Sequence, residues 1–382
     1  MRFWMKSWRH AVFAASLSAA AALSPPALAA ELVVGQVAPL TGVLASTGAQ
    51  MALGPKIWFD EVNARGGVHG AKIRHVVLDD GYKVPDTVQR TRELVQRPDL
   101  LALIGFAGTA NIAELLNQNV LQQAGVALIA PYTGGEPLRQ PFNPWIFHIR
   151  ASYADETEHM VEHLLTLGMD RIGVVYQNDG FGESGLAGVK AALAKRKLSL
   201  VASASYERNT DQVDQAVRTM RSADVRAIIM VAVNKPAASF AKGYRAAGGG
   251  AQLFNISVVN PAELVQLAGQ QAVHGLGISQ VVPYPYSQQL PVVREYQALL
   301  RKHSPGAEIN YTSFEEFLGA KVLVEALQRA GPAPTRAKVI QALESLQNLD
   351  LGGVTFSYSP TQRVGSRLVE VTVLSRDGKL LK

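Results

Sequence analysis

Short apolar runs alternate with longer amphipathic runs along almost all of this chain, and that rhythm leaves few folds open. ELVVGQVAP (31–39), KIRHVVLDD (72–80), LLALIGF (100–106) and VALIAPY (126–132) read as buried strands. Between them, Ala49–Asn63, Pro85–Gln96 and Asn111–Ala124 carry helical periodicity. Gly66-Gly67 and Gly125 stand where helix ends need a left-handed residue. Alternation of this kind builds βα units and parallel sheets. PFNPWIFHIRAS (141–152) breaks the rhythm and reads as a crossing between two lobes.

The plan then repeats. Strands are expected at 171–177, 198–207, 225–233 and 251–259, with helices at 155–167, 183–197, 211–221, 237–247 and from Pro261. ISQVVPYP (278–285) reads as a second crossing. Helices over 292–303, 313–330 and 336–346 return to the first lobe, and VTFSYS with LVEVTVLSRDG alternates like one terminal hairpin. The expectation is an α/β fold of two doubly wound, Rossmann-like lobes joined by a multi-crossing hinge. Lobe one takes residues 30–150 and 284–350, lobe two takes 151–283 and 351–382, and a ligand cleft lies between the strand C-terminal ends.

The first 29 residues belong to neither lobe. Arg2, Lys6 and Arg9 precede an apolar stretch, Ala11–Leu23, and Ala27-Leu28-Ala29 has the small-x-small form of a cleavage site, so a signal peptide cut near Ala29 is expected. Its loss takes the formal charge from +6 to about +3, modest and scattered, which argues against nucleic-acid or membrane-surface partners. No later stretch is apolar enough to span a bilayer, and the chain has no Cys, so the exported protein is expected to be soluble and held by its core alone.

With these features on the page the chain resembles the type I periplasmic solute-binding proteins of ABC transporters, and within them the branched-chain amino acid (Leu/Ile/Val) binding group. The motifs are VGQVAPLTG (34–42), FDEVNARGGVHGAKI (59–73), LDDGYKVPDTV (78–88), IGFAGTANI (104–112), APYTGGEPLR (130–139), IRASYADE (149–156), VVYQNDGFGESG (174–185) and SPTQRVGS (359–366). The resemblance implies a monomeric periplasmic protein that catches a small carboxylate-bearing ligand by hinged closure and delivers it to an inner-membrane ABC permease. It implies no enzyme chemistry and no cofactor. The rival is a receptor or regulator of the same fold, which reads its ligand rather than transporting it.

Two motifs point elsewhere and fail on their surroundings. GFGESG (180–185) matches a dinucleotide loop, with Glu207 at the distance of a ribose-binding acid. Yet three residues separate it from its strand, and Asp179 and Glu183 would set carboxylates beside the pyrophosphate. The resemblance instead turns Phe181 toward the cleft. HMVEH (159–163) has the form of an inverted zinc peptidase motif, but Met160, Val161, Leu164 and Leu165 supply the buried side of an ordinary amphipathic helix.

The Gly108-Thr109-Ala110 turn follows a strand and opens a helix, so its backbone N–H groups and the Thr109 hydroxyl suit an anion, with the Thr133 hydroxyl in the next turn; helix capping is the plainer alternative. The resemblance places the ligand carboxylate at these two turns. Tyr132 is placed to stack on an apolar side chain or to pack in the core. Tyr153 and Asn234 are candidates for either ligand contact or hinge packing, and Thr47 or Ser46 stands where amino-acid binders often carry a Tyr. Those relatives also place a carboxylate for the ligand's α-ammonium in the stretch matching LFNISVVNP (253–261). Here the matching position is Val258, with Ser257 beside it, and the stretch holds no acid. An organic acid lacking the amino group is therefore favoured over an apolar amino acid. Should an amino acid bind, Asp155 or Glu207 would have to pair its ammonium.

Overall fold

The computed structural model describes residues 31–382 together with Met1, so the expected signal segment and its cleavage site lie outside the described residues. The first lobe is built on a parallel sheet of β1 (Glu31–Ala38), β2 (Lys72–Asp79), β3 (Leu100–Ile104), β4 (Leu128–Ile129) and β5 (Ile146–Phe147) in the order β2-β1-β3-β4-β5. The second contains β6 (Ile172–Gln177), β7 (Ala202–Tyr206), β8 (Ala227–Val231), β9 (Gln252–Asn255) and β10 (Gly277–Gln280), all parallel. β13 (Glu370–Leu374) and β14 (Leu380–Leu381) extend it antiparallel, giving β7-β6-β8-β9-β10-β13-β14. The strand order reverses beside β1 in one lobe and beside β6 in the other, so each sheet opens a crevice at its strand C-terminal ends. These crevices face each other.

Burial explains the sheets. LLALI of β3 and AIIMV of β8 are buried along their whole length, as strands covered by helices on both faces must be. Helices Ala45–Ala64, Pro291–His303, Tyr311–Ala330 and Arg336–Glu344 cover one face of the first sheet, with Trp58 meeting Phe317 edge-on at 5.6 Å. Val84–Val95 and Thr109–Asn117 cover the other. In the second lobe Tyr153–Thr166 and Gly180–Ala194 lie on one face, Asp214–Ser222 and Asn234–Ala246 on the other. The first of these layers also packs on Leu44, Tyr82, Ala107 and Tyr132 of the first lobe, so the two lobes are closed on each other.

Four expectations are corrected. The helix expected at 111–124 is two, Thr109–Asn117 and Val120–Ala124, because Asn119 at φ 53 takes the left-handed conformation that Asn tolerates. The segment expected as a crossing at 278–285 begins with β10, whose residues are buried between β9 and β13. The tail is two hairpins rather than one. β11 (Leu349–Asp350) pairs with β12 (Thr355–Phe356), while β13 joins the second sheet. Phe356 and Tyr358 pack in the first lobe's core, and His148 N donates to Arg363 O at 2.8 Å. The last crossing thus falls after Val364, later than the boundary expected at 350/351.

Candidate ligand-binding site

Two motifs far apart in sequence shape one side of the cleft. The Leu40 and Thr41 N–H groups and the Thr41 hydroxyl donate to Asp79 at 2.8, 3.2 and 2.7 Å, which fastens the loop after β1 to the end of β2. Asp80 accepts from Tyr82 N at 2.9 Å and from the Thr87 hydroxyl at 2.5 Å, holding Tyr82 in a left-handed conformation with its ring toward the second lobe. The helix Thr109–Asn117 opens at Gly108, whose φ of 91 and lack of a side-chain cap leave the first backbone N–H groups free of side-chain partners. A Cβ on Gly108 would come within 2.4 Å of Asn111 Oδ1 and 2.7 Å of Tyr82 Cε2, so only glycine fits.

Between the lobes lies a small cavity of about 20 Å³. From the first lobe Leu44, Thr47, Tyr82, Ala107, Gly108 and Tyr132 line it; from the second, Tyr153, Phe181, Val233 and Val258. None of these side chains carries a charge. Burial pushes the Tyr153 hydroxyl up to about 12 and those of Tyr82 and Tyr132 higher still, so the phenols stay neutral. Tyr153 and Phe181 pack edge-on at 5.4 Å and make the aromatic wall of the second lobe.

Thr47, Gly108, Tyr132, Tyr153 and Phe181 thus come together around one cavity. Thr109 and Thr133 lie just behind it, buried, their hydroxyls 2.7 Å apart and engaged with each other. Ala110 is half-buried at the lobe boundary, where a Cβ on Gly180 would lie 4.0 Å from its nitrogen. Asn234 does not line the cavity. Its Nδ2 donates to Thr47 Oγ1 at 3.3 Å across the lobes and to Glu263 Oε2 at 2.7 Å. Ser257 does not line the cavity either: its hydroxyl is engaged by Glu156 and Arg150, while its neighbour Val258, in the bend after β9, lines the cavity.

The Ser257 hydroxyl belongs to a buried ionic cluster at the first crossing. It donates to Glu156 Oε1 at 3.0 Å and accepts from Arg150, whose guanidinium also lies 3.5 Å from Glu156 of the second lobe and 3.6 Å from Glu315 of the first. Burial pushes the Glu315 carboxyl up to about 7 and that of Glu316 well above the carboxylate range, against the pull of Arg150. The folded state therefore holds a proton on Glu315 that the unfolded chain releases above about 4.5. That contribution to stability is full below about 4.5 and is lost as pH rises through about 7. Glu315→Gln is expected to flatten this slope, checked by urea unfolding at pH values across that window; an unchanged slope would place the titration elsewhere.

Sequence reasoning missed Leu44, Tyr82, Ala107 and Val233 on the cavity wall, and Arg208. Arg208 follows β7 and reaches across the cleft mouth. It donates to Asp179 Oδ2 at 2.9 Å in its own lobe, and to Tyr82 O at 2.7 Å and Asn111 Oδ1 at 2.5 Å in the other, with its guanidinium 3.9 Å from the Tyr82 ring centroid. The available signal was position, since both Tyr82 and Arg208 come directly after a strand on the crevice side. Of the two decoys, GFGESG is a helix start whose N–H groups are taken by Asp179, at 3.0 Å from Phe181 N and 3.3 Å from Gly182 N. A Cβ on Gly182 would overlap Gln177 O. In HMVEH, His159 and Glu162 face solvent while Met160, Val161 and Leu164 are buried, and among the described residues no three His, Cys, Asp or Glu side chains cluster as metal ligands.

A family model described as periplasmic binding protein matches residues 31–379. The Leu/Ile/Val-binding protein homolog 7 of Brucella abortus (strain 2308) is 25% identical over 374 residues, covering 91% of this chain and 88% of that one. Among solved structures, a substrate-binding periplasmic protein from Ralstonia solanacearum superposes with a TM-score of 0.88 at 38% identity, over 92% of this chain and 99% of its own. A fatty acid ABC transporter substrate-binding protein from Thermomonospora curvata shares the fold at a TM-score of 0.83 and 23% identity, over 92% and 91% of the two chains. This chain belongs to the periplasmic binding protein family: it is a two-lobed substrate-binding protein and not an enzyme.

Proposed function

We propose that this protein captures a small apolar carboxylate that lacks an α-ammonium group and presents it, as an exported monomer, to an ABC permease. The observation that carries this reading is the chemistry of the cavity wall. No lining side chain is acidic, and the resemblance to amino-acid binders puts Val258 where their ammonium-pairing acid stands. The two acids held in reserve are both engaged elsewhere. Asp155 caps its own helix through Ser152, and Glu207 accepts from Asn178 at 2.9 Å on the exposed rim. An ammonium closed into this wall would remain unpaired, at a cost of several kcal/mol. The carboxylate end has a complement in the free N–H groups at Gly108, Thr109 and Ala110, at the positive end of a helix.

In the closed form the cavity is only about 20 Å³, room for about one water, so a ligand has to part the lobes or displace wall side chains to enter. The Thermomonospora protein is described as taking a fatty acid, a carboxylate without an amino group, though at its identity the likeness extends to the fold alone. Val258→Asp tests the assignment. In a thermal-shift comparison of leucine with isocaproate, its counterpart without the amino group, the variant is expected to favour leucine and lose at least about tenfold in isocaproate affinity. If isocaproate binds variant and wild type alike, position 258 does not face the ligand's α-carbon and the reading fails.

A further inference from the structure

A second and larger space lies at the lobe boundary. Behind the cleft, residues 136–152 and 361–367, which carry the first and last crossings, line a pocket of about 270 Å³. Its wall includes Arg139, Arg363 and Arg367, with Glu136 as the acid among the lining residues.

The three guanidinium groups are not equally satisfied. Arg363 is paired with Glu344 at 2.5 Å and also donates to Pro144 O at 3.0 Å. Arg367, largely exposed, leans on Asp155 at 3.3 Å. Arg139 is buried, yet only its Nη2 is bonded, to the carbonyls of Arg150 and Ala151 at 3.1 and 3.2 Å. Its Nε and Nη1 have no partner, and among the described residues it forms no ion pair. Glu136 does not reach it. The Glu136 carboxylate turns instead to the start of helix Tyr153–Thr166, 3.4 Å from Ala154 N. His148, which shares the wall, is neutral, because burial holds its imidazole well below the ordinary histidine range. Burial likewise pulls the Arg139 guanidinium down to about 10, a loss that the nearby carboxylates of Glu136 and Asp155 offset only in part.

A buried guanidinium with two unbonded nitrogens and no ion pair is expensive, and three planar donor groups on one pocket wall match an oxyanion. We propose that this hinge pocket binds a small oxyanion such as phosphate or sulfate, held by Arg139 and Arg363 of the first lobe and by Arg367 beyond the last crossing. The anion neutralises Arg139 and ties the two crossing strands together. It is a site separate from the cleft, and its ligand is not the transported solute.

The test uses the full mature chain, titrated with inorganic phosphate and, separately, sulfate at constant ionic strength, followed by calorimetry and by melting temperature. Saturable binding of one equivalent is expected in wild type. Arg367→Glu, a substitution at an exposed side chain that leaves the core untouched, is expected to weaken it at least about tenfold. Arg139→Lys keeps the charge but loses the planar fork, and is expected to weaken phosphate binding while the protein remains folded by circular dichroism. Absence of saturable binding by either anion overturns the proposal. So does binding that survives Arg367→Glu but is lost on Gly108→Val, which would put the anion in the cleft instead.

Discussion

Replacing Gly108 by valine is expected to abolish ligand capture while leaving the chain folded. At φ 91 a β-branched residue is strained, at a cost of about 1–2 kcal/mol. The larger effect is steric. The new Cβ would meet Asn111 Oδ1 and Tyr82 Cε2 at 2.4 and 2.7 Å, and both residues must move. Tyr82 is a wall of the cavity and Asn111 holds Arg208 from the other lobe, so one substitution disturbs the Gly108 turn, the wall and the closure together. Affinity for the acid that binds wild type best is expected to fall at least about a hundredfold, near 3 kcal/mol, by calorimetry. A loss of less than threefold would mean that the Gly108 turn does not face the ligand.

Arg208→Ala is expected to weaken binding without removing any ligand contact. Arg208 is absent from the cavity wall, yet it makes two charge-assisted hydrogen bonds to the first lobe and stacks on Tyr82. Such bonds are worth about 1.5–3 kcal/mol each before the loss of closed-state order is counted. They exist only when the lobes meet, so their loss shifts the population toward the open form. The expected result is dissociation faster by about ten- to a hundredfold with association little changed, since affinity differences of this kind reside in the off-rate. Small-angle scattering of the ligand-bound variant is expected to show a more expanded average. Arg208→Lys restores the charge but not the fork, and is expected to recover only part of the loss. Unchanged dissociation from Arg208→Ala would show that closure is held elsewhere, for example by the Asn234–Thr47 contact.

The fold was legible because its signal is periodic. Buried runs such as LLALI and AIIMV, separated by amphipathic helices, admit few arrangements other than doubly wound sheets. Short elements escaped for the same reason. β10, four residues long and flanked by Val-Val-Pro, has no period to detect and is identified only by its neighbours β9 and β13. The tail alternates correctly as strands, but which sheet each strand joins depends on pairing across about ninety residues, which local pattern does not encode.

The cavity was partly legible. Thr47, Gly108, Tyr132, Tyr153 and Phe181 stand directly after strands or at the start of helices, where the topology sends them to the crevice. Ser257 and Val258 show the limit of this kind of argument. Both lie in the bend after β9, where which of two neighbours lines the cavity depends on backbone geometry that local pattern does not encode. Arg208 and Tyr82 were missed because their role is a contact between lobes, invisible in either lobe's own pattern. The Arg150–Glu156–Glu315 cluster is invisible for the same reason, three charges from three separate segments meeting at a crossing.

On the proposed reading, this closed, apolar cavity takes a carboxylate and rejects its α-amino counterpart. The most direct measurement is a thermal-shift screen of refolded, ligand-stripped protein against apolar amino acids and the same carbon skeletons without the amino group. A ligand present at about a hundred times its dissociation constant adds about 2.7 kcal/mol of stability, a shift readily seen. Stabilisation by the plain acids, and none by leucine, isoleucine or valine, is expected. Stabilisation by the amino acids, with the plain acids silent, would contradict it.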